Sequence, residues 1–361
     1  MKLVVYCLLF FVCSQGGAQT RSGMAVVAAD SQFIKHNAIF RFFWGKNYRK
    51  VWATPLSVNY FSLIDSQHKF NPVRTGGGLQ TRSLVVKDEC GREWSLRSVQ
   101  KNPDNWLSPT LRKTFVKNIV RDQISASFPY GSLAVPGIAD ALNIAHDHPE
   151  LVVIKDDTGL GKYQPEFANR LCFFEERNPK GKSVSSEKLF KLKDSIANVF
   201  IDSITYLKCR LMDIVIGDWD RHPEQYKWYC DTVNGTFIFK PIPGDRDQAF
   251  FRLHGMIPSM ILSLGFMGYM EGFYPSVRDV NGFMARGRSL DKKILSNMSK
   301  EKWVMITSEV KTALTDHVLS ASVENLPVEL NDYRDFLVGT MIARRDKLDK
   351  LSVPYYKKIT K

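Results

Sequence analysis

Residues 216–251 read IGDWDRHPEQYKWYCDTVNGTFIFKPIPGDRDQAFF, and no other stretch constrains the fold as tightly. Ahead of it, Ile196, Phe200, Ile204, Leu207, Leu211 and Ile214 recur near a 3.6-residue period, which predicts an amphipathic helix over Ser195–Ile216. The helix runs into Gly217-Asp218-Trp219-Asp220-Arg221-His222. Two β-rich runs follow, Tyr226–Cys230 and Thr236–Lys240, joined through Asp231–Gly235 as a hairpin. Beyond it comes a second acidic cluster, Asp245-Arg246-Asp247. A hairpin returns the chain to its starting point, so the two acidic loops are expected side by side at its open end.

Paired acidic loops of this kind suit phosphoryl transfer to a hydroxyl. One carboxylate orients or deprotonates the acceptor, and another holds Mg²⁺ or Mn²⁺ against the nucleotide phosphates. Asp220 is the candidate base. In protein kinases a second metal ligand follows five positions later, and here that position is Gln225. The metal-ligating candidates are Asp245, Asp247 and Gln225. Each cluster also has a plainer reading: a helix end with a solvated turn at Asp220, an ordinary polar turn at Asp245 and Asp247. Arg221 is expected to hold the loop through a buried pair, and His222 to donate a hydrogen bond within it.

The first half of the chain reads as strands. Val51–Ser57, Ser83–Lys87 and Glu93–Val99 are short β-rich runs, with a Gly-containing turn at 88–92 between the last two. Gly76-Gly77-Gly78 precedes them, either a tight turn or a loop whose N–H groups approach phosphates. Arg97, within a strand, and Lys101, just past it, are alternative phosphate-binding cations. Helices are expected at Leu111–Ser127 and Val135–Ile144, and Asp122 on the first is the expected acidic partner of that cation. Leu151–Ile154 and Arg170–Phe174 are further strands. The segment that follows, EERNPKGK from Glu175 and Glu176 onward, is polar with Pro and Gly and reads as a linker or hinge, the place where a kinase-like chain would cradle a nucleotide base. Helices return from Ser186, with others near Lys300–Leu319 (Ser299 as N-cap) and Val328–Leu351.

The order D-R-H, hairpin, D-x-x-x-A-F, as Asp220-Arg221-His222 and Asp245 to Phe250, resembles the catalytic core of atypical kinases: the secretory-pathway, spore-coat CotH, HipA and phosphatidylinositol 4-kinases. The longer wording, GGGLQT, GREWSLRSVQK and PIPGDRDQAF, resembles uncharacterised envelope proteins of Gram-negative bacteria, some of which carry this region before an outer-membrane barrel. The resemblance spans roughly residues 40–355 and implies an α+β, two-lobed protein-kinase-like fold with a β-rich N-lobe and a mainly helical C-lobe. It implies Asp220 as catalytic Asp, Asp245 as metal Asp, ATP and Mg²⁺ or Mn²⁺ as cofactors, and a hydroxyl acceptor on protein, glycan or lipid. The expected division is 1–18 leader, 19–174 N-lobe, 175–185 hinge and 186–361 C-lobe.

Met1–Thr20 has a basic start, an apolar run over Leu3–Val12 and a small-residue end at Gly16-Gly17-Ala18, the layout of a secretory signal peptide. Export to the periplasm, the envelope or the exterior of a Gram-negative bacterium is the expectation. No later apolar run reaches the 18–20 or so residues of a membrane span. The net charge is +13, which admits an anionic partner, but no nucleic-acid recognition motif accompanies it. Cys90, Cys172, Cys209 and Cys230 lack zinc-ligand spacing, and His146, His148 and His254 likewise show none. Cys172 and Cys209 read as core thiols, and the basic residues Arg344, Arg345, Lys347, Lys350, Lys357 and Lys358 as a solvated helix face. Two functions follow as expectations: an exported metal-dependent phosphotransferase, or a catalytically silent kinase-fold binding module of the envelope.

Overall fold

The computed structural model describes residues 23–64, 69–77, 81–102, 115–264 and 268–361. The leader at 1–18 and Gly78 lie outside them. The strands of the larger sheet all lie in the chain up to Glu176, interleaved with short helices, and helices dominate it after Pro243, the α+β arrangement expected.

Strands β1 (Met24–Val27), β2 (Leu56–Phe61), β3 (Asn71–Gly76), β4 (Ser83–Lys87), β5 (Glu93–Ser98), β6 (Glu150–Ile154) and β7 (Leu171–Glu176) form one sheet in the order β1-β2-β6-β7-β5-β4-β3. All neighbours are antiparallel except β2 and β6. The turn at 88–92 closes β4 onto β5, with Gly91 at φ 78°. One face of this sheet covers a small core that includes Leu84, Val86, Leu96, Ile154 and Cys172. The other face joins the main core, which continues from Ala25 to Ile359 through both halves of the sequence. The helix Val135–Ala141 belongs to that main core and packs on the helices Ser203–Ile216 and Asp316–Ser322.

A second sheet holds β8 (Ser183–Ser185), β9 (Val199–Ile201), β10 (Tyr226–Val233) and β11 (Thr236–Pro243) in the order β8-β10-β11-β9. The connection 177–182 between β7 and β8 is the route from one sheet to the other, within the expected hinge. The hairpin β10–β11 is longer than expected. Its turn is only Asn234-Gly235, both left-handed at φ 49° and 75°, because a two-residue turn of this hand matches the twist of paired strands.

Several element boundaries differ from expectation. Val51–Ser57 is not a strand: Arg49–Ala53 is helical and β2 begins at Leu56. Pro55 excludes helical geometry at Thr54, whose ψ is 121°, so the helix stops there. The helix expected from Ser195 begins at Ser203. Residues 199–201 form β9 instead, paired parallel with β11, and Ile196 and Phe200 are exposed despite fitting the helical period. Leu111–Ser127 contributes a helix over Phe115–Gln123, with 111–114 outside the described residues. The helix from Val135 ends at Ala141, before Asn143 takes φ 55°. Each long C-terminal stretch holds two helices: Lys300–Ala313 and Asp316–Ser322, then Asn331–Asp346 and Leu348–Ile359. Ser299 caps the first, as expected, accepting from the Lys302 N–H. Arg344 corrects the solvated-face reading, because it is fully buried and donates to the carbonyls of Ile214, Gly272 and Tyr274. Cys172 and Cys209 are buried, and all four cysteines among the described residues are free thiols.

Candidate active site

The site begins where the helix Ser203–Ile216 stops. Asp202 caps its start, accepting from the Thr205 N–H at 2.9 Å. At its end Gly217 takes φ 70° and returns its N–H to the Asp213 carbonyl, a left-handed cap that releases the chain into the first acidic loop. A Cβ on Gly217 would lie 2.7 Å from the Phe273 ring, so packing demands glycine as well. The Gly244 N–H donates to the Gln225 carbonyl at 3.0 Å, which fastens the second acidic loop to the first across the open end of the hairpin. The Phe250 N–H donates to the Ile216 carbonyl at 2.8 Å and ties the far side of that loop to the helix end. Between these ties Asp245 and Phe250 both hold positive φ, 53° and 62°. Left-handed geometry at residues with a Cβ costs energy and persists where the surroundings over-determine it.

Buried charges hold the two loops together. Arg221 is fully buried and donates to Gln225 Oε1 at 2.7 Å, to the Gly244 carbonyl at 2.8 Å and to the Asp245 carbonyl at 3.2 Å. The last two of these bonds run from the first acidic loop to the second. Arg246 donates to Asp213 at 2.5 Å and Asp218 at 2.9 Å, while Arg210 donates to Asp213 at 2.7 Å. Burial alone would raise the Asp213 pKa, but Arg246, Arg221 and Arg210 outweigh it and hold the carboxyl below its ordinary range. Asp218 differs: burial prevails over its arginines and pushes it up to about 6.

The candidate carboxylates of the second acidic loop meet cations on and just past β5 of the seven-stranded sheet. Arg97 donates to Asp245 Oδ1 at 2.8 Å and lies 3.6 Å from Glu175. Lys101 donates to Asp247 Oδ2 at 2.6 Å. Both alternative cations thus reach the second acidic loop, one to each carboxylate. Thr81, Arg97, Lys101, Ser127, Phe173 and Asp247 are among the residues lining a narrow cleft there. The Asp245 side chain is 47% exposed, yet desolvation by the protein packed around it, with Asp247 adding to it, raises its pKa. Burial acts the same way on Asp247, but Lys101 and Arg97 overcome it and lower that group. Asp220 is raised by burial and by the negative charges of Asp247 and Asp245, against the pull of Arg286. Its Oδ1 lies 2.5 Å from Arg286 Nε, and the Arg286 guanidinium also stands over the Trp219 and Tyr269 rings.

Other expected residues fall differently. Cross-strand register runs from Gly76 through Ser83 and Arg97 to Phe173, so Gly76 sits at the cleft end of the sheet. Gly77 has φ 118°, and a Cβ there would lie 2.4 Å from the Thr81 carbonyl oxygen, so that position requires glycine. Glu175 joins the site through Arg97, whereas Glu176, opposite Trp94, faces the other side of β7. Asp122 is not the partner of Arg97 or Lys101. It is buried against Arg49 and accepts from it at 2.6 Å, with His36 at 3.0 Å. Gln225 turns its amide oxygen to Arg221 and not toward the Asp245–Asp247 pair. His222 lies 3.6 Å from Glu224. Arg286 and Asp213 were not legible as site residues, because nothing in their local sequence marks the loops they serve; Arg246 stands within the second acidic cluster, but its pairing with Asp213 and Asp218 depends on packing.

No protein-family model matches this chain, and neither does any curated protein. Two solved kinase structures are similar to it. The proinflammatory kinase CtkA of Helicobacter pylori aligns with a TM-score of 0.44 at 9% identity, over 83% of this chain and 98% of that one. The Rio2 kinase of Chaetomium thermophilum, in an ADP/Mg²⁺-phosphoaspartate complex, aligns with a TM-score of 0.35 at 12% identity, over 78% and 71%.

Proposed function

We propose that the chain is a kinase-like phosphotransferase that uses a divalent metal and a nucleoside triphosphate. The observation that carries this reading is the double ion pair in the cleft, Arg97 with Asp245 and Lys101 with Asp247, beside Asp220. Asp245 and Asp247 offer the hard oxygen ligands that Mg²⁺ or Mn²⁺ prefers, and Arg97 and Lys101 are the cations that phosphates prefer. Each pair can exchange its internal partner for an external one, the carboxylates taking the metal and the cations taking phosphate oxygens. When bound, the metal supplies neutralisation of phosphate charge. Asp220 accepts the proton of the acceptor hydroxyl; its raised pKa is the direction a general base at neutral pH needs. Arg286 orients that carboxylate. Gln225 supports the loop through Arg221 and is withdrawn from the metal set proposed for Asp245 and Asp247.

The proposal includes export to the envelope or beyond, supported by the charge-flanked apolar leader. Its acceptor is a hydroxyl of a protein, glycan or lipid there, and docking to an outer-membrane barrel belongs to the same reading. Among the described residues no helix is long and apolar enough to cross a membrane. A second reading, a catalytically silent binding module, is favoured by two observations: both cations are neutralised by the chain's own carboxylates, and Gln225 is taken by Arg221.

Purified protein separates the two. The enzyme reading expects a thermal shift with Mn²⁺ and ATP together that disappears in Asp245→Ala, and transfer of the γ-phosphate to an acceptor. Absence of any nucleotide effect with either metal overturns it in favour of the silent module.

A further inference from the structure

Sequence spacing marks no metal ligands among His146, His148 and His254, yet the fold brings two of these histidines together with a carboxylate well away in sequence from the acidic loops. The helix Val135–Ala141 carries Asp140 near its end, and the left-handed Asn143 turns the chain into a short loop before β6. That loop holds His146 and His148. The ring centroids of the two histidines lie 4.4 Å apart at 51°. Asp140 Oδ1 lies 3.6 Å from His146 Nε2. One ligand atom from each of Asp140, His146 and His148 falls within 4.8 Å of the others.

We infer that Asp140, His146 and His148 form a site for a first-row divalent transition ion, of which Zn²⁺ is the representative. The decisive group is His146. Its side chain is 7% exposed, and its Nδ1 lies 2.8 Å from the Ile144 carbonyl. A carbonyl only accepts, so that contact makes Nδ1 the protonated nitrogen and leaves a lone pair on Nε2. This Nε2 is buried without a hydrogen-bond partner and faces Asp140. Metal-bound histidines characteristically fix their second nitrogen on a backbone carbonyl in this way. An uncompensated buried polar atom is otherwise costly, and an ion would satisfy it.

Size and donor type agree. Zinc bonds of about 2.0–2.2 Å in tetrahedral geometry set ligand atoms roughly 3.4 Å apart, near the 3.6 Å between Asp140 and His146. Asp140, with a side chain 63% exposed, and the exposed His148 are free to close the remaining distance. Two imidazoles and one carboxylate suit zinc, nickel or copper and not magnesium. Three protein ligands leave a position for water. The ion would pin the loop that leads into β6, whose Glu150 pairs with Phe174 of β7, one residue before Glu175. The inference stands independently of phosphoryl transfer.

The test titrates untagged full-length protein, stripped with chelator, with Zn²⁺ against a chromophoric competitor and with Co²⁺ by visible absorption. The expected result is one Zn²⁺ per chain, a tetrahedral Co²⁺ spectrum, and affinity at least about tenfold weaker in His148→Ala and Asp140→Asn. Asp245→Ala is expected to bind Zn²⁺ as the wild type does. Both weakened variants carry changes at exposed side chains, so their circular dichroism should match the parent. Absence of saturable binding overturns the inference, and so does Zn²⁺ affinity unchanged in both His148→Ala and Asp140→Asn.

Discussion

Asp220 and Asp245 have different duties in the proposed chemistry, and substitution separates them. Asp220→Asn keeps the shape but removes the base, so phosphate transfer should fall by about 10²–10⁴-fold while the Mn²⁺–ATP thermal shift persists. Asp245→Ala should lose both. The two cleft cations are also unequal, since the Lys101 side chain is 6% exposed against 16% for Arg97. Lys101→Met leaves the half-buried Asp247 with Arg97 and Gln248 alone and should destabilise the fold by about 1–3 kcal/mol. Arg97→Met should cost less, because Asp245 is open to water, and should act chiefly by weakening nucleotide binding; urea unfolding and nucleotide titration of the two variants check this ordering. Local spacing sufficed to put Asp220, Asp245 and Asp247 on adjacent loops, and Arg97 and Lys101 both reach the second of them. It failed for Asp122, because which of several arginines meets a carboxylate depends on packing that no local pattern encodes.

At the scale of elements, the stop of the helix Ser203–Ile216 positions everything after it. Gly217→Ala would place a Cβ at φ 70° and 2.7 Å from the Phe273 ring. The expected cost is about 2 kcal/mol or more, combining left-handed strain with displaced packing. Thermal unfolding measures the loss, and activity should fall with it because Asp218 and Asp220 follow directly. The hairpin β10–β11 was legible because alternation and an Asn-Gly turn are local signals. β9 was not. Phe200 at its centre fits a helical period by coincidence, and only the parallel edge of β11 makes Val199–Ile201 a strand.

For the whole molecule, buried polar groups join distant parts of the main core. Arg344 donates to carbonyls of Ile214, Gly272 and Tyr274, and burial lowers its pKa to about 10. Arg344→Met leaves those acceptors unsatisfied and should cost about 3 kcal/mol or more, read as a lower urea midpoint. His254 supplies a pH signature. Burial, reinforced by Arg252 and Lys46, lowers its pKa to about 4, and Tyr274 lies against its ring. A histidine whose folded pKa lies below 6.5 favours the folded state while neutral. Its contribution is full above about pH 6.5 and is lost as pH falls toward 4, by up to about 3 kcal/mol. His254→Gln should remove that part of the acid slope, leaving the parent and variant curves divergent between pH 6.5 and 4.

Periodicity, turn chemistry and the two acidic loops determined, from sequence alone, the α+β class, the hairpin and the juxtaposition of Asp220 with Asp245 and Asp247. These depend on interactions between neighbours in the chain or across one hairpin. Tertiary structure decided that both Arg97 and Lys101 enter the cleft, that Asp122 turns to Arg49, that Arg286 reaches Asp220 and that His146 and His148 meet Asp140. The physical reason is common to all four. Charged and polar side chains choose partners by burial and distance in three dimensions, and sequence separation carries no trace of either.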